Sequence, residues 1–192
     1  PKTAKDFDDA VCLIEEEGKR TLWVAIADVA HYIEPETLLD EEAKARATSV
    51  YLPHAVLPML PSRLSDNLCS LRAKVPRLAM TVSMEIENDC TIGKVAAFES
   101  IIEVQENLSY EDALDNPKFQ NMMDLAEELR RNEIRLNLNS AELRPRVHED
   151  EITVNVKWPN KATEMIETFM VATNNSIGIL LGEKNAPLPW RW

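Results

Sequence analysis

The period of the hydrophobic pattern changes along this chain, and each change marks an element. Residues 10–15 (AVCLIE) and 21–28 (TLWVAIAD) are rich in Val, Ile, Leu and Trp, with Gly18 in a charged EEEGKR turn between them. That pattern predicts a hairpin of buried strands. Residues 78–87 (LAMTVSMEIE) alternate apolar and polar positions, and residues 93–104 (GKVAAFESIIEV) follow after NDCTIG. A second hairpin is expected there. A third strand pair is expected at 143–148 and 151–157, turning at Glu149-Asp150.

Other stretches carry helical spacing. Residues 37–48 (TLLDEEAKARAT) place Asp40, Glu41 and Glu42 ahead of Lys44 and Arg46, which suits both the helix dipole and i,i+4 pairing. Asn116-Pro117 starts a helix predicted over 117–134, with Phe119, Met122, Met123, Ala126 and Leu129 on one face. Asn160 caps a long helix reaching about Leu181, apolar nearly all round and therefore expected to be buried. Residues 51–61 (YLPHAVLPMLP) hold three prolines in an apolar stretch, so they predict a stiff extended segment, neither helix nor central strand.

Together these elements predict an α/β mixture of the α+β kind. Its sheet is mixed and largely antiparallel, built of hairpins and flanked by long helices, without the regular βαβ alternation of a doubly wound fold. The 192 residues suffice for one domain with a real core. The net charge of −12 argues by itself against a phosphate-rich partner, though it leaves room for a local basic patch. Cys12, Cys69 and Cys90 are widely spaced, with no zinc-type spacing, and fit a reduced, cytoplasmic compartment. No apolar run of about 18 residues exists to cross a membrane, so no membrane partner is expected. Position 1 is Pro and the chain stops at NAPLPWRW. Residues 1–192 are therefore expected to be one partial domain from a longer protein.

The first strand begins against three carboxylates, Asp6, Asp8 and Asp9. On a strand, residues i and i+2 share a face, so Asp6 and Asp8 point together and Asp9 points away. Bringing all three together needs a bend near Phe7-Asp8. Carboxylates that close raise each other's pKa unless a cation is present. Mg²⁺ is hard, takes oxygen ligands and keeps waters, and two such ions can serve a phosphodiester displacement. A solvated acidic turn is the plainer reading. An EF-hand loop is disfavoured, because the glycine it needs after Asp8 is absent.

Several blocks then carry a resemblance, in order: AKDFDDAV, VAIADVAHYI at 24–33, SVYLPHAVLPMLPSRLSDNLCSL at 49–71, RLAMTVSMEIE at 77–87, LSYEDA at 108–113, ETFMVATNN at 167–175 and LLGEKNAPLPWR at 180–191. They resemble the N-terminal part of the RNB catalytic domain of the ribonuclease II and ribonuclease R exoribonucleases, over nearly the whole chain. The resemblance implies hydrolysis of RNA from its 3′ end to nucleoside monophosphates, with Mg²⁺ as cofactor, or Mn²⁺ in its place, and single-stranded RNA 3′ ends as partner. It further implies that Asp6, Asp8 and Asp9 are three of four catalytic aspartates. Asp8 is the one on which catalysis most depends, and Asp6 and Asp9 are metal ligands. The fourth would fall just ahead of Pro1. Tyr51 matches a tyrosine that contacts the last nucleotides, and Glu167 a glutamate near the RNA.

From the residues alone, Tyr51 is equally a packed loop aromatic. Glu167 and Asn174, seven positions apart on one helix face, equally serve structural bonds. Residues 61–77 carry Arg63, Arg72, Lys74 and Arg77 against Asp66 only, a candidate RNA-backbone patch with Arg63 and Arg72 as contacts, or a charged loop with no ligand. His31 and His54 lack the spaced partners of a triad or zinc site and read as structural.

The chain also departs from the family pattern. IRLNL at 134–138 replaces a Gly-Ala-Leu-Asp-Phe-like block, so Leu138 stands where a phenylalanine can stack. Glu106-Asn107 replaces a basic residue. Both weaken the grip on RNA and keep open a second reading, a catalytically degenerate RNA-binding or scaffold protein. Retention of Asp6, Asp8 and Asp9 argues against it. The 192 residues alone are expected to be inactive, and exposed apolar surface to favour self-association.

Overall fold

A computed structural model describes residues 5–52, 54–131, 141–148 and 151–187. The first hairpin forms as the pattern predicts: β1 (Asp9–Glu16) and β2 (Lys19–Ala27) pair antiparallel, with Glu16 opposite Lys19. The two turn residues both have positive φ, 51° at Glu17 and 77° at Gly18. A two-residue turn of that hand matches the strand twist, and glycine adopts it without steric cost.

The chain then leaves the sheet for nearly fifty residues and returns beside β2. The excursion holds a short turn at Ala30–Tyr32, helix α1 (Leu38–Arg46), a ribbon of β3 (Val50–Tyr51) with β4 (Val56–Leu57), and a π turn at Leu64–Leu68. Thr37 caps α1, its hydroxyl accepting from the Asp40 N–H, and the expected i,i+4 pairs form, Lys44 with Asp40 at 2.6 Å and Arg46 with Glu42 at 2.8 Å. Among its described residues the proline-rich segment holds neither helix nor central strand, as expected, but it folds back on itself, with Tyr51 opposite Val56, and its two short strands are exposed.

β5 (Pro76–Ile86) pairs with β2, and β6 (Ile92–Glu103) pairs with β5. The order is β1-β2-β5-β6, antiparallel throughout. α2 (Tyr110–Leu114) follows. The helix expected from Pro117 opens as a 3₁₀ turn, Pro117–Phe119, before α3 (Gln120–Arg131). β7 (Glu142–His148) and β8 (Glu151–Lys157) form the third antiparallel pair. The expected turn at Glu149-Asp150 and the IRLNL block with Leu138 lie outside the described residues.

Alternation puts Leu22, Val24, Val82 and Met84 on one face of the sheet, where α3 and α4 (Lys161–Glu183) cover them. Phe169, Met165, Leu125 and Met122 fill that core. The other face carries a smaller cluster, Ala25, Ala27 and Ala79 against Cys69 and Leu71. α4 is buried on one side only, which corrects the expectation of burial all round: Phe169 is 0% exposed, but Ile179 is 66% exposed, and Glu167 and Asn174 face outward. Its start is a capping box between Asn160 and Thr163. Among the described residues no helix is long and apolar enough to cross a membrane.

Candidate active site

The hairpin register places the first carboxylates. β1 begins at Asp9, opposite Ile26, and the Asp8 carbonyl accepts from the Ala27 N–H at 2.9 Å. Asp8 therefore stands at the lip of the sheet. Ahead of it the chain is held by another segment. The Phe7 carbonyl accepts from the Leu71 N–H at 2.8 Å, and the Phe7 N–H donates to the Ser70 hydroxyl at 3.2 Å. That hydroxyl donates in turn to the Lys5 carbonyl at 2.6 Å. The acidic loop is thus pinned on one side by β2 and on the other by residues 70–71.

The carboxylates interact. The Asp8 carboxyl is raised above its ordinary value, first by partial burial and then by the charges of Asp6 and Asp9. Asp9 is raised by burial. Asp8 is therefore the central charge of the cluster, with Asp6 and Asp9 flanking it. The Cys69 thiol is raised by burial and then by Asp28 and Asp8, which locates a further carboxylate beside Asp8. The Asp28 side chain also accepts from the His31 N–H at 3.1 Å.

Tyr51 joins this group from the β3–β4 ribbon. It is 69% exposed. Its hydroxyl is raised by local burial first, then by the charges of Asp6 and Asp8, a hydrogen bond to Asp6, and the charge of Asp66. An aromatic ring open to solvent thus has its hydroxyl end against the carboxylates. Asp66 lies on the π turn and accepts from the Ser65 hydroxyl at 2.7 Å.

The donor chemistry fits a hard divalent cation, since Asp6, Asp8 and Asp9 all offer carboxylate oxygens and the central one, Asp8, is raised by burial and by the charges of the other two. The three carboxylates do not close around one point: among the described residues no group of three His, Cys, Asp or Glu side chains is placed to hold an ion. The arrangement suits a magnesium-like ion, which binds one or two carboxylates and keeps waters or takes phosphate oxygens for the rest.

The predicted basic patch is divided, with two of its four cations engaged by the backbone and two exposed. The Arg72 guanidinium donates to the Asp66 carbonyl at 2.5 Å. Arg77 Nε donates to the Ser70 and Asn67 carbonyls at 3.0 and 3.1 Å, and its terminal nitrogen to Asn67 Oδ1 at 3.2 Å. Arg72 and Arg77 brace the 66–70 turn, so the structure does not present them as free phosphate contacts. Arg63 and Lys74 are exposed. Asn107 bridges the same segment. Its side chain donates to the Leu71 carbonyl at 3.1 Å and accepts from the Ala73 N–H at 2.6 Å. Glu167 lies on the open side of α4, a helix that packs chiefly on α2, α3, β2 and β6 rather than on the acidic loop.

Comparison with known proteins settles the family. The RNB domain model matches residues 1–192. The chain belongs to the RNB domain family. Ribonuclease R of Chlamydia muridarum is 34% identical over 205 residues, which cover 98% of this chain and 30% of that protein. The exosome complex exonuclease RRP44 homolog A of Arabidopsis thaliana is 37% identical over 196 residues, 92% of this chain and 21% of that protein. The structure of Mycoplasma genitalium RNase R in complex with ribose methylated single-stranded RNA superposes with a TM-score of 0.92 at 28% identity, covering 100% of this chain and 33% of that one. This RNB-domain chain thus spans about a third or less of the length of such relatives.

Reasoning from sequence missed Asp28, Asp66 and Ser70 as members of the site. Asp28 carried a usable signal: continuing the hairpin register two residues past Asp9–Ile26 sets it opposite Phe7. Asp66 and Ser70 reach the site through the excursion between β2 and β5, and no local pattern announces that.

Proposed function

We propose that this RNB domain is the metal-binding part of a hydrolytic 3′→5′ exoribonuclease, which degrades single-stranded RNA to nucleoside monophosphates with Mg²⁺ or Mn²⁺. The observation that carries the reading is the meeting of Asp6, Asp8 and Tyr51, from two distant segments, at one solvent-open lip of the sheet. Relatives that are ribonucleases R, one of them solved in complex with ribose methylated single-stranded RNA, support it.

In this reading Asp6 and Asp9 hold the cation, and Asp8 stands between them. A divalent ion bound there supplies Lewis-acid polarisation of the terminal phosphodiester. The Tyr51 ring offers a stacking platform worth about 1–3 kcal/mol per base and indifferent to sequence, as an enzyme removing every base in turn requires. The Tyr51 hydroxyl lies close enough to Asp6 and Asp8 to feel their charge, so a base stacked on the ring would bring its phosphate toward the carboxylates.

The test is a gel assay of the natural full-length polypeptide on 5′-labelled single-stranded RNA, with Mg²⁺ and with EDTA. The expected result is a ladder shortening from the 3′ end with Mg²⁺ only. RNA left intact under both conditions would overturn the reading in favour of a non-catalytic RNA-binding protein.

A further inference from the structure

We propose that Ser70 is a positioning residue for this reaction: its buried hydroxyl sets where the Asp6 carboxylate stands. The inference rests on the exoribonuclease reading above and adds to it a residue that neither the acidic motif nor the stacking tyrosine contains.

The β1 ladder reaches only to the Asp8 carbonyl. Asp6 lies beyond it and has no strand partner to fix its backbone. Ser70 does that instead. Its side chain is fully buried, at 0% exposure. The hydroxyl donates to the Lys5 carbonyl at 2.6 Å and accepts from the Phe7 N–H at 3.2 Å. Those two backbone groups immediately flank Asp6. One hydroxyl used as donor and acceptor therefore holds the peptide on both sides of a single carboxylate, across more than sixty residues of sequence.

Ser70 is itself held. Its carbonyl accepts from Arg77 Nε at 3.0 Å, and Arg77 also ties down Asn67, four residues before the end of the same turn segment at Leu71. The next residue continues the contact, with the Leu71 N–H on the Phe7 carbonyl at 2.8 Å. The bracing runs from β5 through the 67–71 turn into the acidic loop. Alanine at position 70 would remove the one hydroxyl that joins the Lys5 carbonyl to the Phe7 N–H, and would free the loop to spread Asp6 over several positions. Outer partners of metal ligands matter in this way generally: losing one typically lowers metal affinity or activity about 10–100-fold.

The experiment titrates Mn²⁺ into the natural full-length polypeptide by calorimetry, and measures kcat and KM on single-stranded RNA and thermal unfolding in parallel. Ser70→Ala is compared with Thr173→Ala, which removes another buried hydroxyl bonded to a backbone carbonyl (Phe169, 2.7 Å), far from the acidic loop in the α4 core. Ser70→Ala is expected to weaken Mn²⁺ binding at least about tenfold and to lower kcat with KM for RNA unchanged. Thr173→Ala is expected to lower thermal stability while leaving Mn²⁺ affinity and kcat as they were. Ser70→Cys, similar in size with a weaker donor, is expected to fall between Ser70→Ala and wild type, and it carries the test if Ser70→Ala does not fold. Wild-type Mn²⁺ affinity in Ser70→Ala or Ser70→Cys would make Ser70 a plain structural staple and overturn the proposal. A wild-type protein that binds no Mn²⁺ would overturn the exoribonuclease reading itself, an outcome visible before any variant is made.

Discussion

Arg77 offers a clean separation between an RNA contact and an internal brace. It sits in the most basic stretch of an acidic chain, where a phosphate contact is the natural expectation. In the structure its guanidinium donates to the carbonyls of Asn67, Ser70 and Pro76 and to Asn67 Oδ1, all between 3.0 and 3.2 Å. A hydrogen bond with a charged donor contributes about 1.5–3 kcal/mol net. Arg77 is only half-buried, so water replaces part of what is lost, and about 2 kcal/mol is expected for Arg77→Met. For a chain of this length each kcal/mol shifts the unfolding midpoint by about 2–4 °C, which gives roughly 4–8 °C.

Binding provides the second measurement. Each phosphate neutralised on a single strand contributes about 0.7 to the slope of log K against log salt. Arg77→Met should leave that slope unchanged. Arg63→Gln should do the reverse, lowering the slope by about 0.7 with little change in midpoint, because Arg63 is exposed. The assays are calorimetric unfolding and RNA binding over a salt series. An unchanged midpoint together with a lowered slope for Arg77→Met would refute the internal role.

Two further outcomes follow from the geometry. Asn160→Ala removes the capping box of α4 and should cost about 1 kcal/mol; a midpoint unmoved in thermal unfolding would show that the helix start is held by something else. Asp8→Asn should abolish turnover and leave RNA affinity nearly unchanged. It should also raise the unfolding midpoint of the metal-free protein at neutral pH. The sign follows from the raised Asp8 carboxyl: the folded chain binds that proton more tightly than the unfolded chain, so ionisation costs stability above the raised pKa and nothing below about 4, the unfolded value. A pH series in which the gain persists at low pH would contradict this origin.

The local elements were legible because local physics sets them. Gly18 in a charged turn between Val- and Ile-rich stretches gave the first hairpin, and Asn160 ahead of a long apolar run gave α4 with its cap. What escaped was decided by distant contacts. α4 reads as apolar all round because Ile177, Ile179 and Leu180 look like core residues in sequence. Periodicity cannot report that the sheet and α3 cover only one side of it. The acidic loop shows the same limit. The apolar run of the first strand sets its start beside the acidic residues, at Asp9, but the groups that hold them, Ser70 and the Ala27 N–H, come from elsewhere in the chain.

Charge counting misleads here for a related reason. The sequence supplies 21 Lys and Arg, and a tally treats each as available to phosphate. In the folded chain Arg20, Lys44, Arg46, Lys118, Arg130, Arg131, Lys157 and Lys161 pair with carboxylates. Arg72 and Arg77 are bound to backbone carbonyls. Ten of the 21 are thus engaged, and among the described residues the exposed cations near the site outside these pairs are Lys5, Arg63 and Lys74. In the exoribonuclease reading, base stacking on Tyr51 and metal ions on the carboxylates would add to the attraction of these few nearby cations. Counterion release depends steeply on monovalent salt, and base stacking adds a sequence-tolerant contribution beside it. The acidity of the chain is thus compatible with the proposed RNA chemistry on physical grounds: the carboxylates would draw a divalent ion, and the ion would meet the phosphate.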